Sequence, residues 1–189
     1  RDVTAIASRA EAGGDLALDA GGDLTLAAAA NVDHHESHTA TTDWISRRVR
    51  QQGSEMVAGE DLTMRSGRDM RLIASDARAD DEAFLIAGRD VELLAANDQD
   101  YSLYEKEESG LFSSSYQRDE INDIRAVGSR LESGGDLTVV SGADQRYQGA
   151  RLEAGNDLTL ASGGKVRFET ASDMHTESHE RSKSNFVSQ

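Results

Sequence analysis

The sequence predicts an all-β fold, a right-handed parallel β-helix (a solenoid) with protruding β-hairpin excursions, and three observations lead there. A unit of the form Gly-x-Asp-apolar-x-apolar recurs eight times in 189 residues. Within each unit the apolar residues alternate, as Leu24 and Leu26 do about Thr25. Period two is the signature of a strand with one face in and one face out. Proline is absent, which suits a chain whose backbone N–H groups nearly all have ladder partners.

Each unit opens with a corner. Asp15, Asp23, Asp61, Asp69, Asp90, Asp136 and Asp157 follow a glycine directly or at one remove, and the last copy has Lys165 in their place. Glycine supplies the positive φ that a sharp corner needs, and aspartate bonds local backbone there, so these seven read as structural turn residues. Two spacings recur among the corners. The short step of eight takes Asp15 to Asp23, Asp61 to Asp69 and Asp157 to Lys165; the longer step of 21 takes Asp69 to Asp90 and Asp136 to Asp157. The short step holds one strand and one turn, and the longer step holds a circuit of three such units.

A strand of a few residues cannot bury its apolar face alone. Coiling the chain so that each strand sits on its equivalent in the next circuit, at ~4.8 Å per coil, makes one continuous apolar ladder. Leu24, Leu26, Leu62, Met64, Met70, Leu72, Val91, Leu93, Leu137, Val139, Leu158 and Leu160 are the expected inward residues. Right-handedness follows from the general preference of parallel crossovers. Helical solenoids do not fit, because the period is too short and no 3.6-residue pattern occurs. The calcium-binding nonapeptide β-roll needs its apolar residue two after Asp, where this chain has apolar residues one and three after it.

Steps of 46 alternate with steps of 21, as from Asp23 to Asp69 to Asp90 to Asp136 to Asp157. The reading is a plain coil alternating with one enlarged by 25, a super-repeat of 67. The expected excursions are residues 31–52 and 97–123, with a third beginning over 173–189, within a single β-helical fragment spanning 1–189 of a longer repetitive protein. Both complete excursions are polar and hold most of the aromatics. Tyr101 to Lys106, a turn at Ser109-Gly110, then Leu111 to Tyr116 reads as a hairpin. Neighbouring hairpins are expected ~10 Å apart or paired laterally into a sheet.

Composition narrows function. The formal net charge of −15 argues against binding nucleic acid or anionic lipid through a broad field. Cysteine is absent, so disulfides and thiolate metal sites are excluded. No apolar run approaches the length of a membrane-spanning helix, and Arg1-Asp2-Val3-Thr4 reads as mid-repeat, not as a signal peptide.

The units GGDLTL and AGNDLTL, the lead-in GSRLESGGDLTV and the polar tail TESHERSKSNF resemble the haemagglutinin repeats of filamentous haemagglutinin-type exoproteins. The similarity is to the second repeat class, found in contact-dependent inhibition effectors and related two-partner-secretion adhesins, and it covers essentially the whole chain. The resemblance implies a right-handed β-helical filament exported through an outer-membrane secretion partner and displayed on the bacterial surface or secreted. It implies adhesion, or delivery of a carried toxin through contact with the target cell's surface or outer membrane.

Site residues are weighed against structural roles. A carboxylate column could serve a β-helical polysaccharide-active enzyme, but acid–base work needs paired carboxylates of split pKa in a groove, and a corner Asp already has a structural task. The expectation is no catalytic residue, no enzyme and no cofactor. His34, Glu36 and His38 share one strand face, echoed by His175, Glu177 and His179. They are the weak metal candidates, against which the polar face of a hairpin is preferred; a pH-dependent switch by histidine protonation is no more favoured than the metal. Trp44, Tyr101, Tyr104, Phe112 and Tyr116 are the contact candidates, with cross-strand packing as the plain alternative. The functional expectation is a filament segment that contacts a target cell; a polysaccharide-active enzyme and a passive spacer are the alternatives.

Overall fold

The computed structural model describes residues 1–185, and those residues form strands and turns with no helix. The last four residues of the expected third excursion lie outside the described residues. Two units are built from interleaved segments. Arg1–Ala30, Gln51–Ala96 and Ala126–Ala171 make the coil unit; Asn31–Arg50, Asn97–Arg125 and the chain from Ser172 make the excursion unit.

The coil unit is a parallel β-helix with three sheets. The first stacks β1 (Val3–Ile6), β4 (Leu24–Ala27), β9 (Met70–Ile73), β12 (Val91–Leu94), β17 (Gln145–Gln148) and β20 (Val166–Glu169). The second stacks β2 (Arg9–Ala12), β7 (Glu55–Ala58), β10 (Asp76–Ala79), β15 (Arg130–Ser133) and β18 (Arg151–Ala154). The third stacks β3 (Leu16–Ala20), β8 (Leu62–Ser66), β11 (Ala83–Ala87), β16 (Leu137–Ser141) and β19 (Leu158–Ser162). Every pairing within these sheets is parallel and in register, Leu24 against Met70 and Leu62 against Ala83 for example.

The expected inward residues fill the interior. Leu24, Leu26, Leu62, Met64, Met70, Leu72, Val91, Leu93, Leu137 and Val139 are all fully buried. Each such side chain contributes ~1.5–3 kcal/mol of transfer free energy. Leu158 keeps the register of Leu137 but is 47% exposed, because β19 has a strand on only one side. The second sheet carries small inward residues, among them Ala58, Ala77 and Ala79. No Gly-x-Asp corner precedes it, so the sequence pattern missed it.

The corner carboxylates do something other than the expected local turn bonding. Asp15, Asp23, Asp61, Asp69, Asp90 and Asp136 each accept a hydrogen bond from the backbone N–H of the equivalent residue one coil on. Before the first sheet, Asp23 N donates to Asp2 Oδ1 at 2.9 Å, Asp69 to Asp23 at 3.2 Å and Asp90 to Asp69 at 3.4 Å. Asp144 donates to Asp90 and Lys165 to Asp144, each at 2.9 Å. Before the third sheet, Asp61 N donates to Asp15, Glu82 to Asp61 and Asp157 to Asp136. In the Gly-Arg-Asp copies the intervening arginine reaches the same column, Arg89 binding Asp69 at 2.6 Å and Arg68 binding Asp23 at 3.1 Å. The Arg89 guanidinium holds the Asp69 carboxyl below its usual range.

These two ladders correct the super-repeat. Asp90 is equivalent to Asp144, and Asp136 belongs to the other corner with Asp61 and Glu82. A plain coil passes from Val3 to Arg9, whereas the first looped coil passes from Leu24 to Glu55, which inserts 25 between the two sheets. The second looped coil passes from Val91 to Arg130 and inserts 33. The second insertion is longer by eight, which is also the step between the two corners of one coil. That coincidence made Asp90 and Asp136 look equivalent at a step of 46. The structural offset from Val3 to Met70 is 67, but from Met70 to Gln145 it is 75.

A third ladder, of serines, runs where the first sheet hands over to the second. Ser54 Oγ donates toward the carbonyls of Ala5 and Ala27, and Ser129 Oγ toward those of Leu72 and Leu94. The same oxygens accept backbone N–H groups of Ser8 and Ser75. Plain coils turn this corner with one left-handed residue, Ala7 (φ 46°), Ala74 (φ 45°) or Gly149 (φ 59°). Coils returning from an excursion have Gly53 or Gly128 at the equivalent position, neither of them left-handed. A Cβ on Gly53 would lie 2.2 Å from the Ala74 carbonyl oxygen, so the stack admits only glycine at that place.

Toward β20 the interior turns aromatic and polar. Tyr147 stacks on Phe168 with ring centroids 4.9 Å apart, and its hydroxyl donates to Gln145 Oε1 at 3.0 Å. Gln145 Nε2 in turn donates to the Ala161 carbonyl at 2.8 Å. Burial pushes the Tyr147 phenol far up, so it stays a neutral donor.

Candidate contact surface on the excursion sheet

Among the described residues the excursion unit is one five-stranded sheet assembled from two insertions and the C-terminal segment. Its strands are β5 (Ala29–His38), β6 (Thr42–Gln52), β13 (Ala96–Ser109), β14 (Ser113–Val127) and β21 (Met174–Asn185), ordered β21-β14-β13-β6-β5. Polar sequence folds as strand here because long runs of alternating side chains pair across strands. Thr39 N donates to the Thr42 carbonyl at the first tip, and Gly110 N to the Ser113 carbonyl at the second. The lateral pairs join different segments. β6 pairs antiparallel with β13 from Gln99↔Val49 to Lys106↔Thr42, and β14 with β21 from Ser113↔Asn185 to Ile124↔Met174.

The contact candidates are dispersed over this sheet. Trp44 on β6 stands opposite Tyr104 on β13, and the His35 ring packs on it at 4.9 Å between centroids. Trp44 is 40% exposed. Tyr101 and Tyr116 lie on the other face. The Tyr101 hydroxyl donates to Glu120 at 3.2 Å and the Tyr116 hydroxyl to Glu105 at 2.9 Å. Burial first and Glu120 second raise the Tyr101 phenol; the bond to Glu105 is the leading cause for Tyr116. Phe112 sits with Leu111 at the tip joining β13 to β14, and the two are 72% and 95% exposed. Cross-strand rungs thus engage the tyrosine hydroxyls, while Trp44, Leu111 and Phe112 present apolar surface to solvent.

On the Tyr101 face, His34, Ile45, Arg47, Gln99, Tyr101 and Asn122 line a shallow hollow of about 370 Å³. On the Trp44 face, cation pairs bind the strands together. Arg50 meets Asp100 at 2.6 Å and Arg48 meets it at 3.2 Å, which holds the Asp100 carboxyl below its usual range.

The histidines occupy the two outer strands. Glu36 lies between His38 Nε2 at 2.5 Å and His34 Nε2 at 3.5 Å. Glu177 lies between His179 Nε2 at 2.5 Å and His175 Nε2 at 3.7 Å. The neighbouring strand holds the other ring nitrogen. Asp43 is 2.8 Å from His38 Nδ1, Asp119 is 2.7 Å from His179 Nδ1, and Asp123 contacts His175 Nδ1. His34 and His38 are four residues apart on a strand, so their Cα atoms are ~13 Å apart and their rings reach opposite oxygens of one carboxylate. That arrangement does not converge on a single ion. Among the described residues no group of three or more His, Cys, Asp or Glu is disposed to hold a metal.

The two histidine motifs look alike in sequence yet occupy opposite faces. His34, Tyr101 and Thr176 each lie ten residues after the first inward residue of the preceding coil strand, Leu24, Val91 and Val166. His175 lies nine after it, and a one-residue slip reverses every side chain on a strand. The sequence carried this signal, but only the coil register makes it readable.

The carboxylates of Asp15, Asp23, Asp61, Asp69, Asp90 and Asp136 accept backbone N–H groups, and arginine also binds Asp23 and Asp69. The residues that sequence reading passed over are Asp2, Glu82 and Asp144 in those ladders, and Ser54, Ser75 and Ser129 in the buried corner.

Comparison with known proteins follows the same periodicity. The hemagglutinin repeat family matches residues 34–113 and again 109–188. The starts of the two matches are offset as Met70 and Gln145 are in the stack. The chain is 34% identical over 137 residues, 70% of its length, to the 16S rRNA endonuclease CdiA of Enterobacter cloacae subsp. cloacae. It spans only 4% of that relative's length. No solved structure matches the chain.

Proposed function

This chain belongs to the hemagglutinin repeat family, and from that membership we propose that it is a non-enzymatic filament segment of a two-partner-secretion exoprotein, whose excursion sheet makes contact with a target cell. In this reading the coils give reach, since each added coil needs only its neighbours. The excursion sheet gives the surface that differs from bare coil. One observation carries the proposal: two insertions and the C-terminal segment combine laterally into one sheet that collects the Trp, three of the four Tyr and all five His of the chain. Recognition draws on aromatic and arginine anchors, and the sheet carries Trp44, Tyr104 and Arg48 on one face, Arg47 on the other and Phe112 at a tip.

The whole exoprotein would reach the bacterial surface through an outer-membrane secretion partner and act on the target cell's surface or outer membrane, by adhesion or by toxin delivery. The similarity to CdiA favours delivery. A non-enzymatic role is supported by the corner carboxylates being committed to backbone N–H groups one coil on.

The register defines the test. Deleting residues 28–52 joins Ala27 to Gly53, and deleting 95–127 joins Leu94 to Gly128. Both junctions then copy the plain corner Ile6-Ala7-Ser8-Arg9, with glycine at the left-handed position. Carried in the full-length exoprotein, the double deletion should keep surface display and lower adhesion or killing by about tenfold or more, the scale of losing a few contact anchors. Undiminished contact would make the segment a spacer whose role is length.

A further inference from the structure

We propose that the outer strands β5 and β21 are latched to the excursion sheet by protonated histidine, and that they loosen when those imidazoles lose their protons. All five histidines of the chain lie on these two strands and none on the three inner strands or in the coils. Two imidazoles flank one glutamate twice, on opposite faces of the described sheet; one aspartate of the adjoining strand, Asp43, backs the β5 group and two, Asp119 and Asp123, back the β21 group. Duplication at both edges makes an accidental arrangement a poor account.

The charge balance follows from the groups present. At the β5 edge stand His34, Glu36 and His38, with Asp43 and Arg47 facing them from β6. Glu105 of β13 pairs with Asp43 across the strands, and Arg118 of β14 lies 3.4 Å from Glu105. At the β21 edge stand His175, Glu177, His179, Arg181 and Lys183, with Asp119, Asp123 and Gln117 facing from β14; Gln117 Nε2 donates to Asp119 at 2.5 Å. A charged His38 imidazole bridges the carboxylates of Glu36 and Asp43, and charged His175 and His179 bridge Glu177 to Asp123 and Asp119. Without those protons two carboxylates face each other unbridged at β5 and three at β21. Carboxylates that were bridged then repel across the strand junction. His35 on β5 packs against Trp44 of β6 on the other face, so the sole tryptophan of the chain reports on this junction.

The electrostatics agree in sign. The partners Asp43, Asp123 and Asp119 raise His38, His175 and His179 respectively, and the imidazoles lower Glu36 and Glu177. A group whose pKa is raised in the folded sheet contributes stability that is complete below its ordinary value near 6.5 and is lost as pH climbs through the raised value. The latch is therefore closed on the acid side and open on the alkaline side. The imidazoles are more than half exposed, so the effect belongs to the edge strands and leaves global stability nearly unchanged.

Hydrogen exchange on the intact chain at about pH 6 and about pH 9, corrected for intrinsic exchange rates, tests this. Protection of β5 and β21 should fall about threefold or more relative to the inner strands β6 and β13, and Trp44 emission should change over the same range. His38→Gln with His175→Gln and His179→Gln should show the low protection at both pH values. Glu36→Gln with Glu177→Gln should hold the edges at the alkaline pH. Imidazole resonances titrated in the unmodified chain supply the second measurement, and their midpoints must coincide with the loss of protection. Equal protection at both pH values would overturn the latch. So would full protection in the histidine variant at the acid pH, or midpoints that do not coincide.

Discussion

At the scale of single residues, the interior is decided by position in the stack more than by residue type. Leu137 and Leu158 occupy one register column, yet the first is fully buried and the second is 47% exposed. Leu137→Asp places an unpaired charge in a dry ladder and should cost more than about 4 kcal/mol, whereas Leu158→Asp should cost about 1 kcal/mol. Urea unfolding of the two variants measures the difference, and similar midpoints would contradict the column. The leucines and valines after each Gly-x-Asp were legible because alternation marks them. The corner aspartates were legible as structural, but their partners were not, since a bond to a position 21, 46 or 54 away leaves no local pattern. Ser129 was invisible for the same reason: a serine in a polar sequence gives no hint that two carbonyls from other coils converge on it.

At the scale of elements, the strands of the first and third sheets that belong to a Gly-x-Asp-apolar-x-apolar unit could be read, whereas β1, β11, β17 and the whole second sheet could not. Strands such as Asp76–Ala79 offer alanine and arginine in place of leucine, so their alternation is faint. The excursion hairpins announce themselves by composition, and their lateral pairing follows only once the coils fix their spacing. That pairing has a direct check. Ser46 and Ser102 come from different insertions and stand opposite each other. Directly opposed antiparallel residues have Cα atoms ~4.5–5.5 Å apart, within the reach of a disulfide. The chain has no other cysteine, so Ser46→Cys with Ser102→Cys should close one intramolecular bond on mild oxidation, seen by peptide mapping. A product cross-linked only between molecules would mean that the insertions do not share a sheet in solution.

At the scale of the molecule, the fold class was legible because a solenoid writes its period into its sequence, whereas the super-repeat was misread. Two kinds of corner share one motif, and a second insertion longer by one short step exchanged one kind for the other without disturbing the interval. The interleaving also has a mechanical meaning. Coils are held to one another by backbone hydrogen bonds, so a chain pulled from its ends should peel coil by coil. A plain coil such as Asp69 to Asp90 releases about 70 Å of slack, and the longer looped coil from Asp90 to Asp144 about 190 Å. The looped coils cannot run out freely, because β6 is stitched to β13 and β14 to β21, each pair spanning two segments. Single-molecule stretching should therefore record short, low-force steps interrupted by long steps at higher force. A tether made this way yields a little at small loads and brakes at large ones.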